Sequence, residues 1–158
     1  MIGEMGRWSI PVEKLVAKAK LDIATVVRAA TWEVFSRVVL RSPVDTGRFR
    51  ANWNISYGQP DITTSDNTDA AGSSKSAEIQ RAILSLPVGG TMYLCNSLPY
   101  ATVLEYGGYP NPPIAGSRKK GETELTIHVV NGFSMQAPSG MVRVSAQEFA
   151  DAVRRAVE

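Results

Sequence analysis

From Pro11 to Arg41 the apolar residues recur at helical spacing, with no glycine and no further proline. Val12, Leu15, Val16, Ala19, Ile23, Val26, Val27, Ala30, Val34 and Val38 fall in one broad stripe at 100° per residue. That spacing predicts one long helix with the stripe as its core face. Pro11 suits the first helical position, with Ser9 upstream as a cap. A narrower seam lies roughly opposite: Leu21, Trp32, Phe35 and Val39, with Arg28 among them. A helix apolar on two sides is either sandwiched in its own domain or packed on another chain. Pro43 cannot continue the helix, and it biases Ser42 toward an extended backbone. Asp45, Thr46 and Gly47 are turn formers. Beyond them the period becomes two. Phe49, Ala51, Trp53, Ile55 and Tyr57 alternate with Arg48, Arg50, Asn52, Asn54 and Ser56, which predicts a half-buried strand over 48–57.

Residues 58–75 are polar and turn-rich, with almost nothing to bury. Alone such a stretch is a mobile loop, so removing 60–72 should leave a folded domain. A short helix is expected over 74–86, with Ile79, Ile83 and Leu86 on one side, and Pro87 to Gly90 turn the chain. Thr91 to Asn96 reads as a second strand and Tyr100 to Tyr106 as a helical piece ended by Gly107-Gly108. After a proline-rich loop over 107–122, Glu124 to Val130 reads as a third strand, with Leu125, Ile127 and Val129 on one face. Asn131-Gly132 is a type I′ hairpin signal, returning the chain as a fourth strand over Phe133 to Ala137. Ser145 and Glu148 have capping-box spacing at the start of a terminal helix, in which Phe149, Ala152, Val153 and Ala156 share a face. The sum is an α+β fold: a small, mostly antiparallel sheet of about four strands, packed by a long N-terminal helix and a C-terminal helix. Residues 1–10 read as an arm carrying Met1, Ile2, Met5, Trp8 and Ile10. It lies on its own domain or reaches a neighbour. Residues 11–158 read as a single domain with the long polar loop at 58–75.

Charge narrows the partners. Seventeen basic and 15 acidic residues leave a net charge of +2, too balanced for nucleic acid or membrane as the main partner. No apolar run approaches a membrane span, and Glu4 and Arg7 interrupt the first ten residues, so no signal peptide is expected. The single cysteine, Cys95, forbids an internal disulfide and suits a reducing cytoplasm. Catalytic patterns are scarce. The one histidine, His128, sits on the predicted third strand, and no phosphate loop, H-x-x-x-H or C-x-x-C occurs. Asp45 and Glu105 are the two carboxylates in turn-rich contexts that could meet in space. An enzyme, a metal or a cofactor is therefore not expected. Arg118, Lys119 and Lys120, with Arg48, could face DNA, and a nucleic-acid-binding module is the alternative of a different class.

Three segments carry a resemblance. Ser42 to Arg50, with Pro43, Asp45, Thr46 and Gly47, resembles the helix-to-strand signature of the small tail-completion, or neck, proteins of tailed bacteriophages. Leu98 to Gly107, with Pro99, Tyr100, Ala101, Glu105 and Gly107, looks like that family's proline-tyrosine-alanine segment. Ala137 to Val144 before the last helix is similar to the way these proteins close. The resemblance implies a virion structural protein that forms a ring between the head connector and the tail tube. Such rings typically have six copies around the DNA channel and assemble in the host cytoplasm. A tail terminator ring is the nearest alternative. The arm at 1–10 and the loop at 58–75 are longer than the family pattern. The surfaces expected to meet neighbours are Trp8, Leu21, Trp32, Phe35 and Val39, together with Asp61, Asp66 and Asp69 of the long loop. Trp32→Ala is expected to weaken assembly more than it weakens the fold.

Overall fold

A computed structural model describes residues 12–85, 87, 89–110, 112–113, 120–125 and 128–157. The expected arm, and Trp8 with it, lies outside the described residues, as do Leu86, Arg118, Lys119 and Ile127. In chain order the elements are α1 (Val12–Arg41), α2 (Arg48–Ala51), β1 (Asn54–Tyr57), α3 (Ser73–Ser85), β2 (Met92–Cys95), α4 (Ala101–Tyr106), β3 (Val129–Val130), β4 (Phe133–Ser134), α5 (Val142–Gln147) and α6 (Phe149–Val157). The class is α+β, as expected, but the described strands form two separate antiparallel pairs rather than one sheet. β1 pairs with β2 so that Asn54 faces Cys95 and Tyr57 faces Met92. β3 pairs with β4 across Asn131-Gly132, whose φ angles of 52° and 79° are those of the expected I′ turn. Among the described residues β3 and β4 share two residue pairs, and Gln136 leaves the ladder to bind Val44.

The 30 residues of α1 make a rod about 45 Å long. Its C-terminal part carries the main core, in which Val38 and Val39 pack with Phe49, Trp53, Ile79, Ile83, Leu98, Leu104 and Met141. A smaller cluster joins Ala30 and Val34 to Ala152 of α6. Glu148 meets Arg37 and Arg41, while Arg155 meets Glu33, so α6 runs back along α1 in the opposite sense. Of the two alternatives for the second seam of α1, packing within its own domain describes Val39, Trp32 and Phe35. Val39 is core of its own chain, and Trp32 and Phe35 are half-buried against that core, where α3 packs on α1. Leu21 alone of that seam stays open to solvent. The first stripe divides along its length. Ala30, Val34 and Val38 are buried, whereas Val16 and Ile23 are 47% and 60% exposed.

The strand expected over 48–57 begins only at Asn54. Residues 48–51 form a single helical turn, with Ala51 N–H donating to the Gly47 carbonyl. Phe49, Ala51 and Trp53 are buried as the alternation required, but because the turn is tucked under α1 and α3. Four residues cannot distinguish a period of 2 from one of 3.6. The capping box is also corrected. Ser145 lies inside α5, fully buried, and its hydroxyl donates to the Met141 carbonyl at 2.7 Å. Glu148 turns instead to two arginines of α1. The face of α6 rests on Ala152, with Val153 packed beside it, while Phe149 remains half-exposed.

Candidate assembly surfaces

The turn after α1 is built by polar side chains acting on backbone groups. A helix end leaves its last carbonyls without partners. Here Arg50 supplies them: Nη2 donates to the Leu40 carbonyl at 2.7 Å and Nε to that of Ser42 at 2.9 Å. Its Nη1 also reaches the Ala70 carbonyl at 2.8 Å, so one guanidinium ties helix, turn and loop. Ser42 Oγ donates to Val38 O and accepts from the buried Trp53 indole at 2.8 Å. Gly47 has φ of 89°, and a Cβ there would lie 2.7 Å from Ala70 Cα, so a side chain is excluded on both counts. Its carbonyl accepts from Asp69 N–H, which brings the far leg of the 58–72 loop against the turn.

That loop is ordered by few groups. Asn52 is buried and pairs with both backbone groups of Ser65: Oδ1 accepts from Ser65 N–H at 2.7 Å and Nδ2 donates to Ser65 O at 3.0 Å. Asn54 donates to Thr63 O, and Arg48 Nε donates to Ser65 O. Asp69 accepts from the N–H groups of Gly72 and Lys75, holding the first turn of α3. The expectation of a free mobile loop is therefore replaced by a loop fastened at its middle and at its far leg. Of its three acids, Asp69 spends both oxygens inside the chain. Asp66 pairs with Arg48 at 2.9 Å yet leaves its side chain 94% exposed. Asp61 accepts from Thr63 N–H and Oγ–H, and these bonds hold its carboxyl below the usual range.

The three resembling segments meet one another. Gln136, beside the third, accepts from Val44 N–H and donates to Val44 O, both at 2.8 Å, reaching the first. Phe49 and Tyr100 bring the first to the second, with ring centres 5.8 Å apart. Glu105 joins the second to the third. Its Oε2 accepts from the N–H groups of Met141 and Val142, and its Oε1 accepts from Arg143 N–H and Nε–H. Burial pushes this carboxyl's pKa up, but the N–H groups of Arg143, Met141 and Val142 outweigh it and hold the group below the usual range. Both oxygens of Glu105 are thus occupied by residues 141–143. Pro43 is buried, Thr46 Oγ1 accepts from Arg48 N–H, and Ala101 packs on the core beside the exposed Pro99. Gly107 closes α4 where a Cβ would lie 2.9 Å from the Phe133 ring.

No family model, curated protein or solved structure matches the chain.

Other predicted groups lie apart from these junctions. Lys120 and His128 are exposed, and the His128 carbonyl accepts from Met135 N–H. Burial pushes the Cys95 thiol's pKa up, and Asp61 adds to that, which suppresses its thiolate. No helix among the described residues is long and apolar enough to cross a membrane. In the N-terminal part of α1, Val16, Leu21 and Ile23 are exposed, and Ala17, Lys20, Leu21, Ile23, Ala24 and Arg28 line a shallow surface depression.

Several organising residues escaped sequence reading. Asn52 and Arg50 were assigned to the solvent face of a strand, and Arg143 drew no notice. Their task is to reach backbone groups far away in the chain, which no local period encodes. The signal that existed was Asn52 beside Trp53 in a turn-rich stretch, which is compatible with many other structures.

Proposed function

We propose that this chain is a non-enzymatic structural component of a tailed-phage virion, one subunit of a neck ring that completes the tail or joins it to the DNA-filled head. The observation that carries the reading is the open half of α1. An apolar stripe that leaves its own domain is a surface for another chain. The phage content comes from the three resembling segments. Their mutual contacts support reading them as one unit. Its partners on this reading are further copies of itself, six by the resemblance, a head connector and a tail tube. Its place is the virion neck, reached by assembly in the host cytoplasm, and no cofactor is needed. Function is then geometric, with one patch of each subunit meeting a different patch of the next until rotation closes the ring.

Electron microscopy of particles made with this gene silenced tests the proposal. Filled heads and finished tails lying apart are expected. Tails of uncontrolled length would assign the terminator role instead. Normal infectious particles would overturn the reading, and DNA binding by the isolated protein with a steep salt dependence would then favour the nucleic-acid module.

A further inference from the structure

We propose that α6 is an exchangeable strap: the chain straightens at Glu148, and α6 leaves α1 of its own chain to take the same seat on α1 of a second copy. The proposal does not depend on the ring reading, since exchange joins copies whether they close as a pair or continue round a ring.

The helices on either side of Glu148 are held very differently. α5 is anchored in the core. Met141 and Ser145 are fully buried, and Glu105 accepts from the N–H groups of Met141, Val142 and Arg143. α6 is held by a narrow contact. Ala152 is its buried residue and sits with Ala30 and Val34, with Val153 packed beside them. Phe149 and Val157, at its two ends, are 48% and 69% exposed. The other ties are ion pairs at the surface: Arg155 to Glu33, and Glu148 to Arg37 and Arg41. Pairs of that kind contribute little, so α6 belongs to the weakly held end of the molecule.

The bend itself has no local cause. Residues 142–157 contain no glycine or proline, and Met141, Ser145, Phe149, Ala152 and Ala156 fall in one stripe at 100° per residue, as in one continuous helix. Such a helix would bond the N–H groups of Phe149, Ala150 and Asp151 to the carbonyls of Ser145, Ala146 and Gln147. Instead Glu148, with φ −85° and ψ 0°, donates three residues back to Ser145 O at 3.2 Å, and the ladder restarts with Ala152 N–H on the Glu148 carbonyl at 2.9 Å. Local preference favours the straight form, and contact with α1 favours the bent one. Glu148 tips the balance. Its carboxylate is gripped by Arg37 and Arg41, and Arg41 Nη1 also donates to Ser145 Oγ at 3.0 Å, so the bend is pinned to α1.

A second copy is the occupant that the opened seat fits. Ala30 and Val34 are packed by Ala152 in the closed chain, and α6 of another copy offers the same Ala152, with the same Arg155 to meet Glu33. Straightening gains helix bonds that the bent form lacks. Exchange then refills the seat with contacts that already fit, so it creates no new surface and leaves none bare.

The test uses the full chain with Cys95→Ser. One batch carries Ala30→Cys and another Ala152→Cys. The two are mixed under reducing conditions and then oxidised. A disulfide-linked pair with one chain from each batch is expected. Neither batch alone should give a comparable link, because each cysteine then faces an alanine. Val34→Cys in place of Ala30→Cys should behave in the same way. Glu148→Ala is expected to speed the mixed pair roughly tenfold, since it frees the bend. Ala30→Cys and Ala152→Cys in one chain should close an internal link and stay monomeric by sedimentation velocity. No mixed pair from either combination, with that internal link formed, would overturn the exchange. A mixed pair whose rate ignores Glu148→Ala would overturn the hinge at Glu148.

Discussion

Two regions of this molecule invert the usual association of apolar with ordered. The loop at 58–72 has Ile62 as its one large apolar side chain, yet the chain holds it at several points. The N-terminal part of α1 is rich in valine, leucine, isoleucine and alanine, yet Val16, Leu21 and Ile23 there are exposed. The difference lies in where backbone groups find partners. In the loop, Asn52 binds the N–H and C=O of Ser65 as a neighbouring strand would, and Gln136 does the same for Val44 in the preceding turn. In α1 the backbone groups between its two ends bond within the helix, so the rod can extend past its support. Fixing a loop needs a few well-placed acceptors and donors. Covering a stripe needs a second surface of matching length, and among the described residues α6 meets α1 around Ala30 and Val34.

The largest test of this contrast is removal of residues 60–72. It takes away the partners of Asn52 and Asn54 and strips Ala70's neighbours from the turn at Gly47. We expect a loss above about 4 kcal/mol and a broadened thermal transition by calorimetry. A domain that melts as wild type would restore the simple view that polar loops are dispensable. Next is Glu105→Ala, which leaves the N–H groups of Met141, Val142 and Arg143 without their acceptor. Its expected cost is about 3 kcal/mol in denaturant unfolding, with Glu105→Gln milder.

Asn52→Asp keeps the acceptor for Ser65 N–H but turns the two donors into an oxygen facing the carbonyls of Arg48 and Ser65. About 2 kcal/mol should be lost, and amide exchange over 61–66 should accelerate while that of α1 does not. Equal acceleration in both would mean the loop and helix are one cooperative unit.

Acid gives a smaller, graded effect. The side-chain bonds from Arg41 and Arg37 lower Glu148's pKa from 4.5 to about 2. A carboxyl lowered on folding adds stability above its unfolded pKa and loses it as the pH falls through the folded value. Stability should thus decline between pH 4.5 and about pH 2, with Glu105 contributing in the same direction. Glu148→Gln should flatten that slope in urea titrations at a series of pH values. An unchanged slope would mean the two arginines do not hold the carboxylate in solution.

The smallest change is expected where the sequence is most apolar. Ile23→Asp should alter the stability of the monomer by less than about 0.5 kcal/mol, since the side chain is 60% exposed. A loss of several kcal/mol in a dilute monomer would show that this half of α1 is covered by its own chain.

Much of the frame was legible without coordinates. The absence of glycine and proline from 12 to 41, and Pro43 after it, determine a long helix and its end. Ile79 and Ile83, the Asn131-Gly132 turn and the alternation at Met92 to Cys95 determine their elements through local period and local backbone preference. Tertiary structure decided the rest. It made a helical turn of 48–51, separated the strands into two pairs, made core of Val39 and left Leu21 bare, and turned Glu148 from a cap into a partner of Arg37 and Arg41. The reason is range. A period reports which residues share a face within a few turns, while a hydrogen bond such as that from Met141 to Glu105, 36 residues away, depends on how the whole chain has packed.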